Sequence, residues 1–198
     1  MNKYSLILCL TYILCGCSNT PPEGINEYLD SLSLHKGDVV FREGIGFTSK
    51  IIKMMDPDGT YTHIGIVTDS AGHLMVIHSV PGEPDYKGDP DRVKMEPLKE
   101  FYSFGKAKSG AVMRHHDESK ALMAADNAYR LYRKGILFDH SYDDMDTTRM
   151  YCSEFVRYVF SISGDSLIDT GNIRNRKRKY IFPSDIYRSK SLFKITDF

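Results

Sequence analysis

Residues 61–80, YTHIGIVTDSAGHLMVIHSV, decide the fold because they predict a β-hairpin. Both halves of this stretch are rich in Ile and Val, which favour half-buried strands. Residues 70–72, Ser-Ala-Gly, separate the halves and are typical of a tight turn. Antiparallel pairing across this turn places Thr62 or His63 near His78, so we expect two imidazoles to lie side by side.

The rest of the chain mixes strand and helix patterns and contains no internal repeat. Strand patterns or short apolar segments occur at residues 35–44 (HKGDVVFREG), 92–98 (RVKMEPL) and 110–116 (GAVMRHH). Helical patterns occur at residues 25–32 (INEYLDSL), 46–56 (GFTSKIIKMMD), 117–133 (with Asp117 as N-cap and Gly135 as stop) and from 152 onward. The mixture predicts an α+β domain.

The helix predicted at residues 46–56 has apolar residues on one side. Its spacing brings Phe47, Ile51 and Met54 or Met55 together there. The pattern ends before Pro57, because the residue that precedes a proline avoids the helical region.

The chain begins MNKYSLILCLTYILCGCSNTPPEG, in which Lys3 precedes an apolar run over residues 4–15. This run is shorter than the roughly 20 apolar residues of a transmembrane helix and is typical of a secretory signal peptide. Residues 14–17, LCGC, resemble the lipobox of bacterial lipoproteins, whose final cysteine receives the lipid. We therefore expect Cys17 to be lipidated and to become the mature N-terminus.

These features divide the chain into three parts. We expect a lipoprotein signal peptide at 1–16, a tether with a short N-terminal helix at 17–34, and one folded domain at 35–198. Because Ser18 rather than an aspartate follows the lipidated cysteine, we expect anchoring to the outer membrane of a bacterial cell envelope, on its periplasmic side or surface.

The charge balance gives no indication of a nucleic-acid partner. The chain has 26 Lys and Arg against 26 Asp and Glu, so its formal net charge is zero. The basic run RNRKRK at residues 174–179 predicts a solvated loop, and a contact with anionic lipid head groups or glycan is the alternative.

The cysteines leave a single thiol in the folded domain. Cys9 and Cys15 are removed with the signal peptide and Cys17 is acylated, so Cys152 is alone. A lone thiol has no partner for a disulfide and no second cysteine for a thiolate-rich zinc site. Cys152 is therefore an inert core thiol or a reactive one.

Position favours reactivity for Cys152. It lies at the start of a predicted helix, where free N–H groups and the helix dipole favour the thiolate, so we expect a lowered pKa. A nucleophilic thiol also needs a base that exchanges protons near neutral pH, which is the property of imidazole. His63 as base and His78 as its orienting partner would complete a Cys-His-His constellation.

A metal site is the alternative for the remaining histidines. Its candidate ligands are His115, His116 and His140 with Asp139 or Asp143. No spacing such as His-Glu-x-x-His is present, so we expect no metal and no other cofactor.

Five motifs, in this order, resemble a known family. They are GDVVFR (37–42), YTHIGIV (61–67), FDHSYD (138–143), YCSEFV (151–156) and FPSDI (182–186). Together they look like the YiiX and YaeF group of permuted papain-like amidases, within the NlpC-type superfamily. The resemblance implies a circularly permuted papain-like fold, in which helices pack on a small antiparallel β-sheet or barrel.

The same resemblance implies residue roles. Cys152 is the nucleophile and His63 the base, and His78 falls where the family has a third polar residue. The histidine precedes the cysteine in the chain, which is similar to the circularly permuted branch that includes lecithin:retinol acyltransferase-like proteins.

The expected substrate differs from that of peptidoglycan-cleaving relatives. Those enzymes carry Asp-Cys-Ser, whose Asp receives a free amine, whereas this chain has Tyr-Cys-Ser at 151–153. The candidate substrate-binding residues are Tyr61, Asp143, Tyr151, Ser153 and Glu154. The loops at 81–91 and 138–146 are the expected pocket walls. Carboxylates in the second loop (Asp139, Asp143 and Asp144) favour an amine-bearing substrate, and an acidic solvated loop is the alternative.

Three functions remain open. The first is a cell-envelope cysteine hydrolase that cleaves amide bonds of a small peptide, an amino-acid amide or a peptidoglycan-derived substrate through a thioester. The second is a lipid acyltransferase, thioesterase or esterase with the same Cys-His chemistry. The third is a binding module that performs no turnover.

Replacement of Cys17 by serine tests the lipid anchor. Each buried methylene contributes about 0.8 kcal/mol, so several acyl chains hold a protein on a membrane durably. We expect Cys17→Ser to lose the lipid mass and to leave the membrane fraction, as followed by mass spectrometry and fractionation. Unchanged processing and unchanged membrane association would show that the lipoprotein prediction is wrong.

Overall fold

The computed structural model describes residues 25–143, 146–168 and 180–198. The predicted signal peptide, the lipidation site Cys17, the carboxylate Asp144 and the basic run at 174–179 lie outside the described residues. Within the described ranges, no helix is both long enough and apolar enough to span a membrane.

A six-stranded antiparallel sheet forms the centre of the fold. Its strands are β1 (Val39–Gly44), β2 (His63–Ser70), β3 (His73–Val80), β4 (Arg92–Pro97), β5 (Ala107–His115) and β6 (Leu192–Asp197). Their order across the sheet is β4-β3-β2-β1-β5-β6, and each neighbouring pair is antiparallel. The predicted α+β class is confirmed, and the sheet is open rather than closed into a barrel.

Helices cover both faces of this sheet. They are α1 (Ile25–Ser31), α2 (Phe47–Met55), α3 (Leu98–Phe101), α4 (Glu118–Lys134), α5 (Cys152–Ser161) and α6 (Pro183–Tyr187). The four-residue α3, the five-residue α6 and the last strand, β6, were not predicted, because none of them has a periodic pattern long enough to stand out.

Alternate residues of each strand point to opposite faces and form two cores. On one face, strand residues such as Phe41, Ile64 and Ile77 pack against α4 and α5. On the other face, Val40 and Val67 pack with α1 and α3. The sheet is therefore buried on both sides, which explains the Ile- and Val-rich strands.

The ends of α4 agree with the sequence prediction to within one residue. The side chain of Asp117 accepts a hydrogen bond from the N–H of Lys120 at 3.2 Å and caps the helix. Gly135 ends it in the left-handed conformation with φ 68°. Local capping chemistry accounts for both boundaries.

The predicted hairpin is present as β2 and β3. Ala71 and Gly72 form its turn with φ values of 54° and 78°, as a two-residue hairpin turn requires. Pairing of the two strands continues as far as Ile66 opposite Ile77. Residues 63–65 and 78–80 lie beyond this last pair, toward the start of α5.

Gly65 lets the two histidines of the hairpin approach each other. Gly65 and His78 each lie one residue beyond the last pair of β2 and β3, Ile66 and Ile77. A Cβ atom at Gly65 would lie 2.5 Å from Val76 Cγ1 and 3.1 Å from His78 Cβ. The missing side chain leaves room for His63, two residues away on the same face, to reach His78 diagonally.

Helix α2 forms as predicted, but its apolar side is not buried in either core. Phe47, Ile51, Met54 and Met55 are all exposed. An amphipathic surface helix normally turns its apolar side toward the core. Here that side faces solvent and the mouth of a cavity.

Replacement of Gly65 by alanine is expected to lower the free energy of unfolding by about 1–3 kcal/mol, because the added methyl overpacks the strand pair. Urea denaturation measures this change. The matched control is Gly105→Ala, whose added Cβ would meet nothing within 4 Å. Equal losses in the two variants would contradict the close approach at Gly65.

Candidate active site

Cys152 is the first residue of α5 and is buried between that helix and the sheet. Ser79 Oγ on β3 donates a hydrogen bond to the carbonyl of Met150 at 2.6 Å, which holds the chain just before the helix. The backbone N–H of Ile64 also contacts the Cys152 thiol. Because Ile64 directly follows His63, the start of α5 meets the start of β2.

His63 and His78 form a buried pair of imidazoles. His63 Nε2 and His78 Nδ1 are 2.8 Å apart, and the two rings meet edge to face. The ring of Phe101 on α3 packs on both, with centroid distances of 5.8 and 5.3 Å. The predicted approach of these imidazoles is confirmed, and an apolar ring shields them from water.

Glu96 on β4 extends this pair, and the sequence analysis missed it. His78 Nε2 lies 3.1 Å from Glu96 Oε1. Lys106 Nζ donates to Glu96 Oε2 at 2.6 Å. Burial opposes ionisation of the carboxyl group, but His78 and Lys106 outweigh burial and lower the pKa of Glu96 to about 2. Glu96 is therefore a carboxylate at neutral pH.

This carboxylate fixes the positions of the ring protons. Burial lowers the pKa of His78 although Glu96 opposes that effect, so His78 is neutral at pH 7. A carboxylate only accepts hydrogen bonds, so the proton of neutral His78 is on Nε2 and its Nδ1 is an acceptor. His63 Nε2 must then donate to His78. His63 Nδ1 is left unprotonated, which makes it the nitrogen that can take a proton from Cys152.

The structure corrects the expectation of a preformed thiolate. Burial raises the pKa of the Cys152 thiol, although the Oγ and N–H of Ser153 and the N–H of Ile64 oppose this. Burial, assisted by the positive charge of Arg42, lowers the pKa of His63 well below its ordinary value. Desolvation therefore outweighs the helix dipole, and the resting site holds a thiol beside a neutral imidazole.

A cavity of about 410 Å³ opens on Cys152 and His63. We call it the Cys152 cavity. Its wall includes Phe47, Ile51, Ile52, Met55, Phe138 and Phe182. No Asp, Glu, Lys or Arg is found among the described residues of its wall.

The structure brings two of the predicted substrate-binding residues to this cavity. Tyr151 and Ser153 lie in its wall. The Tyr151 hydroxyl accepts a hydrogen bond from the N–H of Ile181 at 3.1 Å, so that hydroxyl holds the neighbouring segment. Ser153 Oγ lies 3.8 Å from Cys152 Sγ.

Three other predicted residues do not reach the cavity wall. The Tyr61 hydroxyl donates to the carbonyl of Gly110 at 3.3 Å, within the core. The buried Glu154 carboxylate accepts from the N–H of Tyr151 at 3.3 Å, at the start of α5. Asp143 is exposed outside the wall. These side chains were assigned by sequence neighbourhood, which does not give the direction in which a side chain points.

Tyr142 faces the site from the acidic loop, as Phe138 does. It has φ 53°, a conformation uncommon outside glycine, and it lies in the wall of the Cys152 cavity. Burial and the nearby Cys152 raise the pKa of its hydroxyl. The buried Asp139 carboxylate accepts from the N–H groups of Ser141 and Asp143, each at 2.7 Å, and fixes this loop. The sequence motif FDHSYD contained Tyr142 but did not reveal its conformation.

The candidate metal ligands do not converge. His115 Nε2 lies 3.0 Å from Asp165 Oδ2, His116 packs against Phe193, and His140 lies beside Asp91. Within the part of the chain that the structure describes, no group of three or more His, Cys, Asp and Glu side chains is arranged to hold a metal ion.

A buried cysteine at a helix start, beside a histidine whose second ring nitrogen is held by another side chain, defines a papain-like cysteine hydrolase. The sequence profile described as the permuted papain-like amidase enzyme, YaeF/YiiX, C92 family, matches residues 33–195. The chain belongs to this family of amidases, as the sequence motifs predicted.

Structural comparison gives the same fold. The crystal structure described as metalloprotein yiiX from Escherichia coli O157:H7 is similar, with 18% sequence identity and a TM-score of 0.66. The similarity covers 84% of this chain and 99% of that chain. No curated protein matches this chain in sequence.

The alkylation rate of Cys152 should report its protonation state. Because burial raises the pKa of the thiol, we expect the rate with iodoacetamide to rise with pH to a midpoint above the ~8.5 of a free cysteine. Peptide mapping by mass spectrometry isolates Cys152 from the other cysteines. The same protein unfolded in urea is the control and should titrate near the free value. A midpoint below that of the unfolded chain would overturn the neutral resting state.

Proposed function

We propose that this protein is a cysteine amidase of the bacterial cell envelope, which hydrolyses an amide bond through a thioester on Cys152. The observation that carries the proposal is the continuous series of contacts from His63 through His78 to the ionised Glu96, next to a buried thiol. A protein that only binds a ligand does not need this series of side-chain contacts, which leaves an unprotonated imidazole nitrogen in the same cavity as a thiol.

The first half of the reaction forms the thioester. His63 Nδ1 takes the thiol proton as Cys152 Sγ attacks the carbonyl carbon, so the S–C bond forms and the carbonyl oxygen becomes negative. Collapse of this intermediate breaks the C–N bond, and His63 returns the proton to the leaving amine. The acyl group remains on Cys152.

Two kinds of donor lie near the developing oxyanion. The N–H groups in the first turn of α5 have no partner within the helix, and they include that of Cys152. The Tyr142 hydroxyl lies in the same cavity wall. Donors held in place before the reaction stabilise negative charge without reorganising, so these groups are the proposed oxyanion hole.

The second half of the reaction releases the acyl group. His63 takes a proton from water, the hydroxide oxygen attacks the thioester carbonyl, and the C–S bond breaks. Cys152 leaves as a thiolate and recovers its proton from His63, while the product is a carboxylic acid. Replacement of water by an alcohol or amine would make the same site an acyltransferase, and an ester substrate would make it an esterase.

The proposed location follows from the N-terminal sequence. A lipid on Cys17 would hold the protein on the membrane, and its partners there would be the bilayer and a small peptide or amide substrate, including those derived from the cell wall. The yiiX structure is described as a metalloprotein. The nucleophile proposed for this chain is a thiol rather than a metal-bound water, so turnover should persist in EDTA.

Substitutions at Glu96 test the proposed series of contacts. An amide at this position can donate to His78 Nε2, which moves the proton of each imidazole to its other ring nitrogen and leaves His63 Nδ1 protonated. We therefore expect Glu96→Gln to lower kcat by about 10²- to 10⁴-fold. Glu100→Gln is the matched control, because Glu100 also contacts Lys106, at 3.1 Å, but lies at the surface. The assay is release of free amine from a panel of peptide amides and muropeptides, and release of free fatty acid from fatty-acyl esters.

Each outcome of this assay has a clear meaning. Cys152→Ala should abolish turnover, and ¹⁵N NMR of His63 should show the proton on Nε2 in the wild type but not in Glu96→Gln. Cleavage of esters alone would favour the lipid esterase. If no substrate is cleaved and no acyl adduct forms on Cys152, the protein is a binding module.

A further inference from the structure

Helix α2 presents large apolar side chains to solvent. Phe47 is 79% exposed and Met54 is 82% exposed, and Ile51 and Met55 are also exposed. The spacing from Phe47 to Ile51 to Met54 is four and then three residues, so these side chains lie along one side of the helix. Contiguous exposed apolar surface of this kind marks a contact with another molecule or with a membrane.

Two lysines accompany this apolar side. Lys50 is three residues after Phe47 and four before Met54, so it is a neighbour of both on the helix surface. Lys53 lies in the last turn, where its Nζ donates to the carbonyl of Gly59 at 2.6 Å. The sequence of α2 contains no Asp or Glu. The charged residues of this amphipathic helix are therefore all basic.

Exposed apolar residues continue beyond the start of α2. Ile45, two residues before the helix, is exposed. Its N–H donates to the carbonyl of Lys106 at 3.3 Å, which brings it beside the segment that carries the exposed Phe104. The apolar surface thus draws on two segments of the chain.

We propose that α2 docks on a lipid bilayer that carries anionic head groups. The apolar side chains enter the boundary between head groups and acyl chains, to a depth of about 5–10 Å, as is typical of a helix that lies in the interfacial plane. Lys50 and Lys53 contact the phosphates. Their methylene stems can cover apolar surface while the ammonium groups stay among the head groups.

A bilayer fits this surface better than a second copy of the chain. Helix α2 has nine residues and is therefore only about 14 Å long. In a dimer formed through α2, the lysines of the two copies would lie close together, and like charges across an interface are unfavourable. Anionic head groups supply the opposite charge, and fluid acyl chains accept protruding side chains without a preformed pocket.

Docking through α2 also orients the domain on the membrane. Phe47, Ile51 and Met55 lie in the wall of the Cys152 cavity, and Thr48 and Ser49 line a second cavity that includes His63. The side of the domain that holds the candidate active site would therefore face the bilayer. This contact requires neither hydrolysis by Cys152 nor a lipid on Cys17.

A single tryptophan on α2 tests the contact in the full protein, because the chain contains no tryptophan. Met54→Trp places the fluorophore on the apolar side but outside the walls of both cavities. Tyr129→Trp is the matched control, at an exposed ring on α4. Vesicles of phosphatidylethanolamine and phosphatidylglycerol with brominated acyl chains quench a tryptophan that enters the bilayer. We expect quenching and a blue shift of the emission for Met54→Trp and neither for Tyr129→Trp.

A second substitution tests the role of charge. Lys50→Gln, made together with Met54→Trp, should lower the ratio of docked to undocked protein about fivefold, as expected for loss of one basic residue near an anionic surface. Lys134→Gln removes an exposed lysine from α4 and should leave this ratio unchanged. Vesicles of phosphatidylcholine alone should abolish the difference between the two lysine variants. Thermal unfolding of each variant verifies that it folds.

The possible results support or overturn the proposed docking. Equal quenching of the two tryptophans, or no quenching of Met54→Trp at saturating vesicle concentration, would overturn it. Equal effects of the two lysine substitutions would do the same. A blue shift that grows with protein concentration in the absence of vesicles would replace the bilayer by a second copy. Mass spectrometry of the same samples records whether Cys17 carries a lipid, so failure of the lipid anchor is distinguished from failure of docking.

Discussion

The contact between Glu96 and His78 determines the state of the whole candidate site. A carboxylate inside a protein needs compensating partners, and Glu96 has Lys106 at 2.6 Å and Arg42 at 3.8 Å. These cations keep it ionised, so it can only accept a hydrogen bond from His78. From that single restriction follow the proton positions on His78 and His63 and the ring nitrogen of His63 that is left free to accept a proton.

The fold joins elements from both faces of the sheet at this point. The histidine pair lies on the face covered by α3, where Phe101 packs on both rings, whereas α5 belongs to the opposite face. The pairing of β2 with β3 reaches only Ile66 and Ile77. Beyond this pair, the start of α5 approaches β2. The thiol and the imidazole therefore line the same cavity although they belong to different layers.

The sequence predicted what local patterns encode. The hairpin that contains His63 and His78 and the position of Cys152 at a helix start all follow from periodicity and turn residues. Glu96 depends on the register of β3 with β4, and Tyr142 on a positive φ, neither of which the sequence reveals. The thiolate expectation was wrong because the helix dipole is a local property, whereas desolvation depends on tertiary packing.

Burial of a protonated thiol also affects the resistance of the protein to oxidation. Peroxides and disulfides react with the thiolate, and their attack requires access to the sulfur. Cys152 is only 5% exposed and its pKa is raised, so both conditions are unfavourable for oxidation. The packing that keeps Cys152 protonated therefore also protects it from irreversible oxidation to sulfinic acid.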